Sequence, residues 1–218
     1  MKKLLLASTI LGAIILSVTA FRPANEPVPS KGTAKPAAEK KTARFAKWSL
    51  DKGHSNVKFT VTHMVVSEVD GTFKIFDGSM EHSKPDYSDA KIAFSVDVNS
   101  INTDNTNRDN HLKSDDFFNA AQYPAMKFES TSFTPLGGNK YKLDGNLTIR
   151  DVTKPTSFEV TYGGTINTQR GAKAGFKAVG KINRFDYNLK WDRATETGGL
   201  VVGKEVVITV NAQLNEAK

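Results

Sequence analysis

From Trp48 onward the apolar residues recur at every second position, the period of a half-buried β-strand. Val57, Phe59, Val61 and His63 share one face, with Lys58, Thr60 and Thr62 on the other. After a short helix or turn around Met64 to Glu68 the pattern resumes at Gly71, Phe73 and Ile75, and Asp77-Gly78 reads as a hairpin turn into Ser79 to His82. Ile92, Phe94, Val96 and Val98 alternate with Ala93, Ser95, Asp97 and Asn99. Met126 and Phe128 open a further strand that Gly137-Gly138-Asn139 turns into Tyr141, Leu143, Gly145, Leu147 and Ile149. Asp151 to Pro155 reads as a break, and Phe158, Val160 and Tyr162 follow before Gly163-Gly164 loosens the pattern. Phe176, Ala178, Gly180 and Ile182, then Val206, Ile208, Val210, Ala212 and Leu214, complete it. Roughly eight strands at short spacing predict an all-β sandwich or barrel.

The apolar faces mix Phe59, Phe73, Phe94, Phe128, Phe158 and Phe176 with small Gly145, Ala178, Gly180 and Ala212. Large and small residues together suit the tapering interior of a closed barrel. At about eight strands such a barrel either fills with side chains or holds one small ligand, and the pattern alone leaves both open.

One segment breaks the alternation. Arg108 to Phe128, RDNHLKSDDFFNAAQYPAMKF, reads as a short helical lid. Ser114 is placed to cap free N–H groups, and Asp115 and Asp116 suit the positive end of a helix that starts there. Tyr123-Pro124 ends it, because proline drives the residue before it out of the α region. Phe117, Phe118 and Tyr123 give the segment an apolar side too small to form a core alone. The preceding NSINTDNTNRDN reads as a loop.

Before Trp48 the composition changes. Lys2-Lys3, an apolar run from Leu4 to Val18 and Val18-Thr19-Ala20 have the form of a secretory signal covering residues 1–20, too short for a comfortable membrane span. Residues 21–47 hold Pro23, Pro27, Pro29 and Pro36 among Ala, Lys, Glu and Ser without periodicity, and read as a disordered tether. The domain is then 48–218, and the expected location is exported, periplasmic or secreted.

The formal charge of +7 belongs to the leader and tether. Of 30 Lys and Arg, two lie in the leader and seven in residues 21–47; of 23 Asp and Glu, two lie in 21–47, so residues 48–218 carry equal numbers of each sign. That removes the main argument for a nucleic-acid partner. The lysines of the tether remain suited to peripheral contact with an anionic membrane. With no cysteine there are no disulfides and no thiolate chemistry.

Catalytic patterns are missing. His54, His63, His82 and His111 form no HxH, HExxH or other metal-ligand spacing, so neither metal nor cofactor is expected. Asp115 and Asp116 are helical neighbours pointing in different directions and cannot flank one bond. Arg184 and Asp186, two apart on a strand, read as an ion pair at the surface or barrel end. Neither a nucleophile elbow nor a phosphate or dinucleotide loop occurs. The Gly163-Gly164 and Gly198-Gly199 pairs read as turns or bulges.

Several separated stretches carry a family resemblance. WSLDKGHSNVKFTVTH (Trp48 to His63), VDGTFKIFDG (Val69 to Gly78), RDNHLKSDDFFNAAQYP (Arg108 to Pro124), LDGNLTIRDVTKP (Leu143 to Pro155), GFKAVGKINRFDYN (Gly175 to Asn188) and VGKEVVITVNAQL (Val202 to Leu214) together resemble the YceI-like family of exported lipid-binding proteins. The resemblance runs from Trp48 to Leu214. It implies an all-β fold, an extended antiparallel lipocalin-like β-barrel with one short helical lid segment, whose apolar pore holds a long isoprenoid or fatty chain.

In such a barrel the strand faces and the lid put Phe59, Val61, Phe73, Ile92, Phe94, Val96, Phe117, Phe118, Met126, Phe128, Leu147, Phe158, Val160 and Phe176 on the pore, with Arg108, His111 and Arg150 as polar candidates at its mouth. The expected function is non-enzymatic binding, transport or sequestration of a polyisoprenoid or similar long-chain lipid. The alternatives are a structural or stress-related envelope protein with a filled barrel, and an enzyme using His63 or His111 as base. The oligomeric state is left open, a homodimer included.

Overall fold

The structure, a computed structural model, describes residues 45–194 and 199–217. The leader and nearly all of the tether lie outside the described residues, as does Gly198.

The strands are β1 (Ala46–Leu50), β2 (Asn56–His63), β3 (Ser67–Phe73), β4 (Phe76–His82), β5 (Lys91–Asp97) and β6 (Ile101–Asn102). After α1 (Thr106–Lys113), the single α-helix among the described residues, come β7 (Ala125–Gly137), β8 (Lys140–Ile149), β9 (Val152–Thr168), β10 (Gly171–Asn183) and β11 (Val202–Glu216). All pairings are antiparallel, and β1 returns to β11 to close the sheet. β1 begins at Ala46, so Ala46 and Lys47, expected in the tether, are already strand, paired with His82 and Glu81.

The ring has eight staves because three of them are broken. β1 and β2 lie end to end along β11, β1 against Leu214 to Glu216 and β2 against Val202 to Asn211. β4 pairs with β1 while β3 pairs with β2, and β5 and β6 divide in the same way between β4 and β3. The antiparallel barrel that the family resemblance implies is therefore present and closes with eight strands, which decides against the sandwich that the alternation alone left open. The β1–β11 pairing covers most of the edge that an open sheet would expose, which reduces the usual liability of a sheet.

Asp51 holds the first break together. Its Oδ1 accepts from the Gly53 N–H at 3.1 Å and lies 3.1 Å from His54 Nδ1. Its Oδ2 accepts from Gln213 Nε2 at 2.9 Å, and from Lys173 Nζ and Asn215 Nδ2, both at 3.4 Å. These bonds join the β1–β2 corner to β10 and β11. They hold the carboxyl well below the usual range, the His54 contact first, against a smaller opposing effect of burial.

Several local expectations shift. The helix lies N-terminal to its expected position: Asn105, not Ser114, is the N-cap, its side chain accepting from the Arg108 N–H at 3.0 Å, and Ser114 is the C-cap. The signal was hidden in the Asn-rich stretch. Asp109 Oδ1 accepts from the Thr103 N–H at 2.9 Å and hydroxyl at 2.6 Å, which folds that loop into the first helical turn. Asp115 and Asp116 follow the helix in exposed turns, and Tyr123-Pro124 does precede the next strand. Met64 to Val66 form a tight turn with no helix. Asp77-Gly78 lie inside β4, the break falling at Lys74-Ile75, and Pro155 lies inside β9, paired with Asn146, because the true turn is Arg150-Asp151.

Candidate functional site

Inside the barrel runs an apolar cavity of ≈ 220 Å³. A water molecule occupies ~30 Å³ in the liquid, so this is space on the scale of a ligand rather than a packing defect. Its wall residues on β11 are Val202 and, past a register shift, the regular stretch from Val206 to Leu214. At ~3.3 Å per residue and a strand tilt of ~40°, that stretch covers about 20 Å of the barrel axis. The wall is almost wholly apolar.

The mixture of large and small residues has a direct structural meaning. Phe59 pairs across the ladder with Gly71, Phe94 with Gly78 and Phe158 with Gly180. Each ring lies over its glycine so closely that a β-carbon there would stand 2.2 to 2.7 Å from it. Phe128 covers Gly145 in the same way, from the diagonal position. The rings are thereby laid along the wall rather than across the lumen, which keeps the interior open.

Both ends are closed by aromatic groups. At one end Tyr87 meets His82 at 4.5 Å, Tyr162 at 5.4 Å and Phe176 at 5.6 Å between ring centroids. Phe133 stacks on Tyr141 at 4.6 Å. Burial pushes the Tyr87 hydroxyl up to about 12, and raises Tyr141 as well. At the other end Leu112 of α1 and Phe117 and Phe118 of the turn after it face the cavity. Phe117 is buried and packs on Trp191 at 5.4 Å and His111 at 5.1 Å. The lid thus owes its apolar side chiefly to the turn, since most of α1 is polar.

All fourteen residues placed on the pore from the strand pattern and the family resemblance lie on the wall of this cavity. β11 also lines the cavity through Val206, Ile208 and Val210, which are not among the expected pore residues although their alternation is plain in the sequence.

The three mouth candidates are elsewhere, none of them on the wall. Arg108 Nε and Nη2 donate to the hydroxyl and carbonyl of Thr103 at 2.8 and 2.6 Å, bracing the start of α1. His111 Nε2 lies 2.8 Å from Asp116 Oδ2. Arg150 Nη1 donates to the carbonyls of Phe117 at 3.0 Å and Asn188 at 2.9 Å, and its guanidinium stands 5.5 Å from the Tyr123 ring centre. The two arginines satisfy backbone oxygens on either side of α1 and His111 meets the Asp116 carboxylate, so all three fasten the lid.

Arg184 departs furthest from expectation. It lies in a 3-10 turn, not a strand, and is 4 % exposed, with no ion pair to Asp186. Its guanidinium donates to four carbonyls: Gly203 at 2.8 Å, Leu189 at 2.6 Å, Trp191 at 2.8 Å and Val202 at 2.9 Å. It also stacks at 4.4 Å from the Phe185 ring centre. Only a planar fork of five donors holds so many oxygens at once. Spacing in the sequence could not reveal this, because the partners belong to a segment with no periodic pattern.

Comparison with known proteins agrees with this architecture. The UPF0312 protein of Staphylococcus aureus strain N315 is 36 % identical over 170 residues, covering 77 % of this chain and 96 % of that protein. The crystal structure of Burkholderia cenocepacia BcnA superposes with a TM-score of 0.64 at 27 % identity, covering 75 % of this chain and 98 % of that one. A Campylobacter jejuni YceI protein gives 0.62 at 31 % identity, over 72 % and 90 %. A polyisoprenoid binding domain from Saccharophagus degradans shares the fold at a TM-score of 0.55 and 16 % identity, over 78 % and 98 %. The family model for the YceI-like domain matches residues 48–214, and with that match, the eight-stranded closure and the hollow apolar interior, the chain belongs to the YceI-like family.

Proposed function

We propose that the barrel binds, and so carries or sequesters, a polyisoprenoid or similar long-chain lipid, without chemistry on it. The observation that carries this reading is the elongated apolar cavity with almost no polar wall. Such a wall offers little to a polar or charged solute, whose desolvation would go uncompensated. A hydrocarbon chain loses nothing there. At ~0.8 kcal/mol per buried CH₂, ten such groups contribute ~8 kcal/mol gross, near the micromolar range before association costs. A longer isoprenoid has a margin over that.

The fold shared with the Saccharophagus degradans polyisoprenoid binding domain supports the same ligand class. The Lys2-Lys3 start and Leu4 to Val18 run support action outside the cytoplasm, with the lysines of residues 21–47 touching an anionic membrane surface.

Native mass spectrometry after gentle purification tests the reading. A reproducible added mass in the lipid range, removed by organic extraction, is the expected result. A protein found empty in every preparation overturns it and leaves the envelope protein without ligand.

A further inference from the structure

The turn between β2 and β3 is built against the usual rules. Met64 and Val65, its two central residues, have φ of 51° and 66°, and the Val66 N–H returns to the His63 carbonyl at 3.2 Å. Positive φ at both central positions is the pattern of a type I′ turn, which favours Asn-Gly because side chains with a β-carbon resist it. A β-branched valine is among the worst residues to place there. Yet Met64, Val65 and Val66 are 49, 68 and 87 % exposed, so packing in the described residues does not repay the strain.

The position of this tip matters. Val61 and Val202 line the cavity, His63 pairs with Val202, and the Met64 N–H donates to the Val201 carbonyl at 2.9 Å. The tip therefore extends just beyond the wall at the lid end. Other exposed apolar residues such as Leu136 and Ile166 stand singly, which is ordinary for a protein surface.

We infer that Met64-Val65-Val66 is a membrane-contacting tip that seats the lid end of the barrel in the apolar layer of a lipid bilayer, where the cavity exchanges its chain. The inference rests on the lipid-binding reading of the cavity. A bilayer fits better than a protein partner or a second copy on area. Three such side chains offer roughly 200–350 Å² at the areas implied by transfer scales, whereas a specific protein interface buries ~1,200 Å² or more. Shallow seating needs only ~5–10 Å of depth, and the three consecutive apolar residues Met64, Val65 and Val66 supply it. The contact is apolar and so resists salt, unlike any contact made by lysines upstream.

The chain has no cysteine, so a single one at Val66→Cys carries an environment-sensitive fluorophore in the full chain, with Leu136→Cys as the distant control. Phosphatidylcholine vesicles bearing lipid spin labels at graded depths are the probe. The label at 66 is expected to shift to the blue and be quenched from just below the headgroups at low and high salt alike, with the label at 136 remaining aqueous. Because each label reports its own depth, binding through residues 4–18 does not imitate the result. Adding Met64→Asn and Val65→Gly is expected to raise the melting temperature by relieving the turn, while lowering vesicle seating at 66 by about tenfold or more.

An aqueous label at 66 in the presence of vesicles overturns the inference. So does a blue shift that grows with protein concentration without vesicles, which would assign the tip to a second copy. Native mass spectrometry of the same preparations reads the cavity separately. Bound lipid with an aqueous label removes the tip alone, and an empty barrel with a quenched label removes the carrier reading together with the chain exchange that rests on it, leaving only the seating of the tip.

Discussion

The Trp48 indole donates from Nε1 to Nε2 of His82 at 2.9 Å, and the other imidazole nitrogen, Nδ1, lies 2.9 Å from the Lys84 carbonyl. A carbonyl only accepts, so Nδ1 must carry the proton and Nε2 must be bare. The pair joins β1 to β4 beside the aromatic plug, with both side chains buried. Nitrogen NMR at neutral pH should therefore find His82 as the Nδ1–H tautomer. Replacing it by phenylalanine should cost about 1–3 kcal/mol in denaturant unfolding, because the indole N–H is left buried without an acceptor.

Val96 tests whether the lumen is open. It is buried, pairs with Phe76 and Met126, and faces the cavity. In a close-packed interior Val96→Trp should cost ~1–3 kcal/mol. In the hollow barrel the indole takes ligand space, so the variant should unfold within about 0.5 kcal/mol of the delipidated parent and lose co-purifying lipid. Delipidation matters, since bound lipid adds stability by mass action.

Glycine substitutions should separate close-packed positions from open ones. A β-carbon at Gly145 would stand 2.3 Å from Phe128 Cζ and 2.5 Å from the Glu129 carbonyl oxygen, while one at Gly175 meets nothing within 4 Å. Gly145→Ala should cost about 1–3 kcal/mol through forced movement of backbone as well as ring. Gly175→Ala should be neutral within ~0.5 kcal/mol. Equal losses in the two would mean that the ring over Gly145 yields freely.

The acid limb of stability should show the loop from Ser83 to Ala90. Asp89 accepts from the Ser83 hydroxyl, from the Ser83 N–H and from the Lys84 N–H at 3.1 Å, and these bonds, the hydroxyl first, hold its carboxyl down at about 2. Its folded value lies below the unfolded 3.8. The contribution is thus complete above pH 4 and is lost as pH falls toward 2. Asp51 acts in the same direction. Melting temperatures measured across this window should fall less steeply for Asp89→Asn than for the parent.

Arg184 should resist conservative exchange. A lysine keeps the charge but has three donors without the planar fork, so Arg184→Lys should cost about 2 kcal/mol or more. Hydrogen exchange should rise at Leu189 and from Val201 to Gly203 before it rises in β8, because the guanidinium ties the former segments and not the latter.

Alternation along single strands was enough to read the all-β class, the approximate number of strands and the side of each strand that faces inward, because a pleated strand imposes a two-residue period without help from its neighbours. Phe59, Phe94, Phe128 and Phe158 were legible as interior residues for that reason. The family motifs added the closed antiparallel barrel. What depended on partners distant in the chain was not legible. Whether Phe128 fills the lumen or lies along the wall is decided by Gly145 on the next strand. Whether Arg184 is a surface charge or a buried clasp is decided by carbonyls of residues 189–203. The start of α1 turned on Asp109 reaching back to Thr103, against a Ser-Asp-Asp stretch that is an equally good N-terminal signal on propensity alone. Periodicity is a property of one strand, and it carries through to the sequence. Burial, charge compensation and an open lumen belong to pairs of segments, so only the closed barrel decided them.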